Sequence, residues 1–200
     1  MSRQSASAYD PLTILLHWLI AAIILGQIVL GFVMTRPSID PALQFSLFQW
    51  HKSFGMLVLV LAALRLLHSL IRVRVAPAPG ASRLEYMAAR FVHAALLALA
   101  LVVPFAGWMI ASVSPLNIPT FAFNLVVVPD LPFAKSDFAE DVWTTVHTVL
   151  AYTMLALVLL HSGAALYHHY RRHDGVLQRM LRLRRSPAET PVTEVPTKEL

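Results

Sequence analysis

Four long apolar stretches, separated by proline-rich breaks, constrain this chain more than any other feature. They cover residues 12–34, about 47–71, about 88–113 and about 142–168. A bilayer core of about 30 Å needs around 20 helical residues, so each stretch is long enough to cross it. Charged residues make up only 14% of the chain, whereas a soluble domain has roughly 25%. The sequence therefore predicts an all-α fold, an integral membrane four-helix bundle.

Basic residues are distributed unevenly between the two sides of this bundle. One side has Arg72, Arg74, Arg83, Arg90, Arg171, Arg172, Arg179, Arg182, Arg184 and Arg185. The other side has Arg36, Lys52 and Lys135, which are outnumbered by Asp40, Asp130, Asp137, Glu140 and Asp141. Because Lys and Arg are enriched in cytoplasmic loops, both termini are expected to be cytoplasmic. The expected partner is membrane lipid, with no nucleic acid.

The chain divides into four expected regions. Residues 1–11 form a polar cytoplasmic N-terminus, and residues 12–173 form the transmembrane domain. The first span is too long for a signal-peptide core of about 7–15 residues, so it is expected to be retained. Residues 174–185 are a basic juxtamembrane segment that either rests on the membrane as a short helix or is a solvated tail. Residues 186–200, rich in Pro, Thr and Glu, are expected to be disordered.

Histidines are the chain's candidate ligands. Ionisable residues within membrane spans are rare and usually functional. Seven of the nine histidines lie within or at the ends of the spans: His17, His51, His68, His93, His147, His161 and His168. The absence of cysteine excludes iron–sulfur ligation and covalent c-type haem. Any haem must therefore be held non-covalently.

The fourth span carries two histidines that face nearly the same way. His147 and His161 are 14 positions apart, which leaves them about 40° apart around the helix and about 21 Å apart along it. That spacing suits two b-type haems stacked through the membrane. Position along the spans pairs His51 with His147 at the outer level and His17 with His161 at the inner level. Two axial imidazoles leave iron no open site, which is typical of electron transfer.

Further residues share these faces. Gly31, 14 positions from His17, faces the outer level, and Gly55 lies one turn from His51. Either glycine would let a porphyrin lie against the backbone, or would simply pack helices together. Arg65 is 14 positions from His51 and would either pair with a haem propionate or extend to the headgroups.

Three more histidines lie toward the cytoplasmic side. His168, seven positions beyond His161, would hydrogen-bond a quinone carbonyl and move its proton, or face the headgroups. His68 is rotated about 100° from the face of His51. His93 could replace His17 as a ligand. We expect instead that His68 and His93 are interfacial or line the quinone region.

With these residues in place, the chain resembles the prokaryotic cytochrome b561 family over about residues 9–180. The matching pieces are His17-Trp18-Leu19, His51-Lys52-Ser53-Phe54-Gly55, Leu64-Arg65-Leu66, His93, Pro104, Gly107-Trp108, Phe121-Ala122-Phe123, His147, His161 through Ala164-Ala165 to His168-His169-Tyr170, Asp174 and Arg179-Met180. The resemblance implies a membrane cytochrome with two haem b groups and the same ligand pairs. It also implies a location in the bacterial inner membrane and electron exchange with ubiquinone. His168 matches a residue that is associated with quinone in a relative, and that relative oxidises superoxide.

Three functions remain open on the sequence. The first is a superoxide:quinone oxidoreductase, and the second is an electron-transfer subunit that docks a soluble periplasmic redox protein. The acidic outer side would repel superoxide and attract a basic partner. The third is a non-redox metal transporter or assembly factor, which the lack of carboxylates within the spans disfavours.

Overall fold

The computed structural model describes residues 9–71, 82–174 and 176–181. Four long helices dominate these residues: α1 (Pro11–Met34), α2 (Pro41–Ile71), α3 (Arg83–Val113) and α4 (Asp137–Tyr167). A π-helical turn, His168–Arg172, continues α4 and precedes the short α5 (Val176–Leu181). All four long helices are apolar and long enough to cross a membrane. The predicted all-α membrane four-helix bundle is therefore confirmed.

Three of the helices begin earlier than hydropathy predicted, because polar capping residues start them. Ser82 and Glu85 form a capping box at the start of α3, and the Ser136 side chain accepts the Ala139 N–H at the start of α4. Pro41 is the first residue of α2, where a missing N–H costs nothing.

The helices pack in chain order, with α1 against α2, α2 against α3 and α3 against α4. Val58 and Ala62 of α2, Ala100 of α3 and Met154 of α4 form a buried apolar cluster. Met154 lies seven residues from both His147 and His161, so this cluster separates the levels of the two histidines. Large apolar side chains such as Ile71, 80% exposed, cover the outside, as expected for a surface that faces lipid.

The two ends of the bundle differ in structure. We call the end with the α1–α2 and α3–α4 connections the hairpin end, and the end where α1 begins and α4 finishes the termini end. The α3–α4 connection, expected only as a proline-rich loop, contains an antiparallel hairpin of β1 (Thr120–Ala122) and β2 (Val126–Val128). The hairpin is fastened to α2: the Phe123 N–H donates to Ser53 Oγ at 2.9 Å, and Gln49 Nε2 donates to the Pro119 carbonyl at 3.1 Å.

At the termini end, α5 folds back onto α1. The indole N–H of Trp18 donates to the carbonyl of Met180 at 2.9 Å. α5 falls within the predicted basic juxtamembrane segment 174–185, and whether that segment rests on the membrane stays a prediction. The expected disordered tail, the first eight residues and several arginines of the orientation argument lie outside the described residues; those arginines are Arg72, Arg74, Arg182, Arg184 and Arg185. The cytoplasmic placement of both termini stays a prediction.

Candidate functional site

Two pairs of facing imidazoles lie inside the bundle, one toward each end. The ring centroids of His51 and His147 are 6.2 Å apart, and those of His17 and His161 are 6.1 Å apart. Metal–imidazole bonds are about 2.0 Å long and a ring nitrogen lies about 1 Å from its centroid, so two imidazoles on opposite sides of one metal have centroids about 6 Å apart. Both predicted pairs meet that requirement.

At the hairpin end, backbone groups orient the pair. Nδ1 of His147 donates to the carbonyl of Val103 at 2.9 Å, which leaves Nε2 unprotonated for a metal. Gly107 lies so close that a Cβ there would be 3.3 Å from Cε1 of His147. Gly31 lies across the pair, where a Cβ would be 3.8 Å from Cε1 of His51. Nδ1 of His51 is buried and has no hydrogen-bond partner among the described residues.

At the termini end, a charged residue contacts the pair. The guanidinium of Arg65 is 3.1 Å from Nδ1 of His17. An arginine can only donate, so Nδ1 accepts and the proton of the neutral ring lies on Nε2. For His17 to bind a metal through Nε2, this hydrogen bond has to break. Arg65 would then be free to bind an anionic group at the same level, as the propionate prediction requires.

Comparison with known proteins identifies the family. The family model described as prokaryotic cytochrome b561 matches residues 8–183. The chain belongs to the prokaryotic cytochrome b561 family. It is also 30% identical over 174 residues to a curated Escherichia coli (strain K12) protein named cytochrome b561 homolog 2, a match that covers 86% of this chain and 90% of the relative.

Membership in the cytochrome b561 family establishes the general biochemistry. The chain is a multi-pass bacterial membrane protein that binds b-type haem and takes part in electron transfer. The side chains fit that cofactor, because each pair supplies two facing imidazoles. At the hairpin-end pair, Gly107 and Gly31 also keep the backbone close to the rings. Among residues 9–71, 82–174 and 176–181, no group of three or more His, Asp or Glu side chains could hold a metal ion.

His93 is deeper in this cytochrome than the sequence suggested. Its ring centroid is 5.2 Å from that of His161, whereas we expected His93 to be interfacial or to line the quinone region, with replacement of His17 as the alternative. The difference arises because α3 begins at Arg83 and not near residue 88, which places His93 about 15 Å along the helix. A centroid distance of 5.2 Å is shorter than the roughly 6 Å of opposed ligands, so His17 fits as the partner of His161 better than His93 does.

His68 lies at the termini end, away from both pairs. Its Nδ1 is 3.4 Å from Thr13 Oγ1, and its Nε2 is 3.6 Å from the carboxylate of Asp10. The rotation of His68 away from the face of His51 stays a prediction. At Gly55, a Cβ would meet no protein atom within 4 Å, so there is open space beside this glycine. The predicted close approach of a porphyrin to Gly55 stays a prediction.

His168 is placed beyond His161 at the termini end, as its spacing predicted. Its Nδ1 is paired with the carboxylate of Asp174. Sequence reasoning missed this partner because the contact depends on a chain reversal at His173, whose φ is 51°. Residues that face each other on one helix are three or four positions apart, so a spacing of six gave no reason to pair Asp174 with His168.

Proposed function

We propose that this protein is a two-haem cytochrome that carries electrons across the bacterial inner membrane, between a periplasmic donor and ubiquinone. His51 and His147 would hold one haem b at the hairpin end. His17 and His161 would hold the other at the termini end. The observation that supports this most strongly is the presence of two imidazole pairs with the same centroid separation, 6.2 and 6.1 Å, at two levels of one bundle.

In this proposal the protein residues orient the ligands and exclude competing chemistry. The haem irons would supply one-electron redox chemistry when bound. The Val103 carbonyl holds His147 in the tautomer that leaves Nε2 available. His51 with His147, and His17 with His161, would each hold one haem through two imidazoles, which suits electron transfer and not oxygen binding. Arg65, released from His17, would bind a propionate of the termini-end haem.

The proposed direction places the hairpin end in the periplasm and quinone at the termini end. His168 would hydrogen-bond the quinone and supply its protons, because it lies beyond His161 and reaches the end of the bundle. The excess of arginines toward the termini end supports a cytoplasmic position for that end.

The donor is either superoxide or a soluble redox protein, and one observation favours the protein. Asp137 and Asp141 are exposed at the first turns of α4, and the charge of Lys135 is paired with Asp130 at 2.9 Å. An acidic surface attracts a basic protein and repels an anion such as superoxide. In this second candidate function the chain is an electron-transfer subunit without superoxide oxidase activity of its own.

Haem stoichiometry tests the core of the proposal. A pyridine haemochrome assay on the purified full chain should give two b-type haems per chain, and a redox titration should resolve two one-electron steps. His51→Ala and His161→Ala should each remove one haem. A colourless protein, or two haems retained in both variants, would overturn the assignment.

Stopped-flow mixing with superoxide decides between the donors. Rapid haem reduction by superoxide, followed by reoxidation on adding ubiquinone, would identify a superoxide:quinone oxidoreductase. Slow reduction by superoxide together with rapid reduction by a basic soluble cytochrome would identify the docking subunit.

A further inference from the structure

The pair formed by His168 and Asp174 is held by contacts with two other helices. Arg172, in the π-helical turn, forms an ion pair with Glu85 of α3 at 2.7 Å. Beyond the reversal, Trp18 of α1 holds the carbonyl of Met180. Asp174 lies between these two attachments, and its side chain is only 11% exposed, against 22% for His168. The carboxylate is therefore directed at the imidazole by the fold around it.

This arrangement is a poor helix cap. A helix C-terminus carries partial negative charge and unsatisfied carbonyls, so it favours basic donors and disfavours a carboxylate. The left-handed residue that commonly ends a helix is glycine, yet here it is His173, and Gly175 comes two residues later. Asp174 also lies just before α5, whose N-terminus favours a carboxylate. The left-handed His173 and the π-helical turn beside it are features that occur often at functional sites.

We propose that Asp174 positions His168 as the proton donor to the quinone, an inference that rests on the proposed function. A carboxylate accepting from Nδ1 keeps a proton on that nitrogen and directs proton exchange to Nε2. Among the described residues, none hydrogen-bonds Nε2 of His168.

The step balances in protons and electrons. Quinone takes two electrons, delivered singly from the termini-end site, and two protons to become quinol. For each electron, the Nε2–H bond of His168 breaks as an O–H bond forms on the quinone. The ring that remains is neutral, with Nδ1–H still donating to Asp174, and water from the adjacent aqueous side restores the proton on Nε2.

The test uses the full chain with its haems, reduced by dithionite without excess and mixed with ubiquinone-1 in a stopped-flow instrument. Asp174→Asn should lower the haem reoxidation rate at saturating quinone by about tenfold or more. The half-saturating quinone concentration should change by less than about twofold, because the carboxylate does not contact the quinone. Asp174→Glu should restore most of the rate, and haem content and midpoint potentials should not change.

Two further variants separate the ways in which this inference can fail. Glu85→Gln removes an exposed acid at the same end. It breaks only one of the two attachments, an exposed ion pair that contributes little, and leaves the Trp18 contact in place, so it should change the rate by less than about twofold. An equal loss in Glu85→Gln and Asp174→Asn, or a wild-type rate in Asp174→Asn, would overturn the role of Asp174. His168→Gln should slow reoxidation by about 100-fold. A wild-type rate in His168→Gln would overturn the quinone site itself.

Discussion

The two imidazole pairs have nearly the same geometry but different surroundings. The hairpin-end pair, His51 and His147, is surrounded by neutral backbone: the Val103 carbonyl and the close glycines 31 and 107. The termini-end pair, His17 and His161, is in contact with a guanidinium and a third imidazole, from Arg65 and His93. The two pairs therefore share the same ring separation, but only the termini-end pair contacts a charged side chain among the described contacts.

If each pair holds a haem, as we propose, that difference predicts unequal midpoint potentials. A ring that donates to a carbonyl, as His147 does, is a more basic ligand and stabilises oxidised iron. A nearby cation such as Arg65 stabilises the reduced state, which carries one less positive charge. The termini-end haem should therefore have the higher potential, and electrons should flow from the hairpin end to the termini end.

The largest effect should come from replacing the two histidines that could be the second ligand beside His161. His17→Ala should remove one of the two haems, whereas His93→Ala should retain both, because only His17 is at the ring separation required of opposed ligands. Pyridine haemochrome per chain measures the outcome. Loss of a haem in His93→Ala with none lost in His17→Ala would assign His93 as the ligand.

The next effect should be confined to the hairpin end. Gly107→Leu should remove most of the hairpin-end haem, because even a Cβ would lie 3.3 Å from the His147 ring. The termini-end haem should stay, which makes it an internal standard in redox titration. Gly26→Leu is the matched control, since a Cβ at Gly26 meets nothing within 4 Å. Equal haem loss in the two variants would show that the contact with His147 is unimportant.

A smaller effect should separate the two potentials. Removing the charge with Arg65→Gln should lower the termini-end midpoint potential by roughly 50–100 mV, from a charge interaction of about 2 kcal/mol at about 8 Å. The hairpin-end potential should shift far less, because it lies about 21 Å away along α4. Arg36→Gln, an exposed arginine at the hairpin end, is the control. A shift of the hairpin-end potential alone would reverse our assignment of Arg65.

The smallest effect concerns the surface outside the hairpin-end pair. If a basic redox protein docks there, Asp137→Asn and Asp141→Asn should each slow its electron transfer about twofold at low salt, and less at high salt. The rate with a small neutral reductant should be unchanged. Faster transfer from the basic protein in these variants would argue against docking on this surface.

The sequence by itself determined the four spans and the candidate ligands. Hydropathy and length are properties of each segment, so the spans are recognisable without their neighbours. The 14-residue spacing of His147 and His161 is likewise local, because one helix fixes the angle between its own residues. The proposed pairing with His17 and His51 followed from depth alone, and the structure brings those rings together.

Only the tertiary structure decided the contacts between elements. The capping box starts α3 earlier than hydropathy predicted, and His93 lies within the termini-end site. A left-handed residue at His173 brought Asp174 back to His168, and the β1–β2 hairpin folded onto α2. The physical reason is that the rotation, packing and chain reversal of one element depend on its neighbours, whereas hydrophobic periodicity reports only on the helix that carries it.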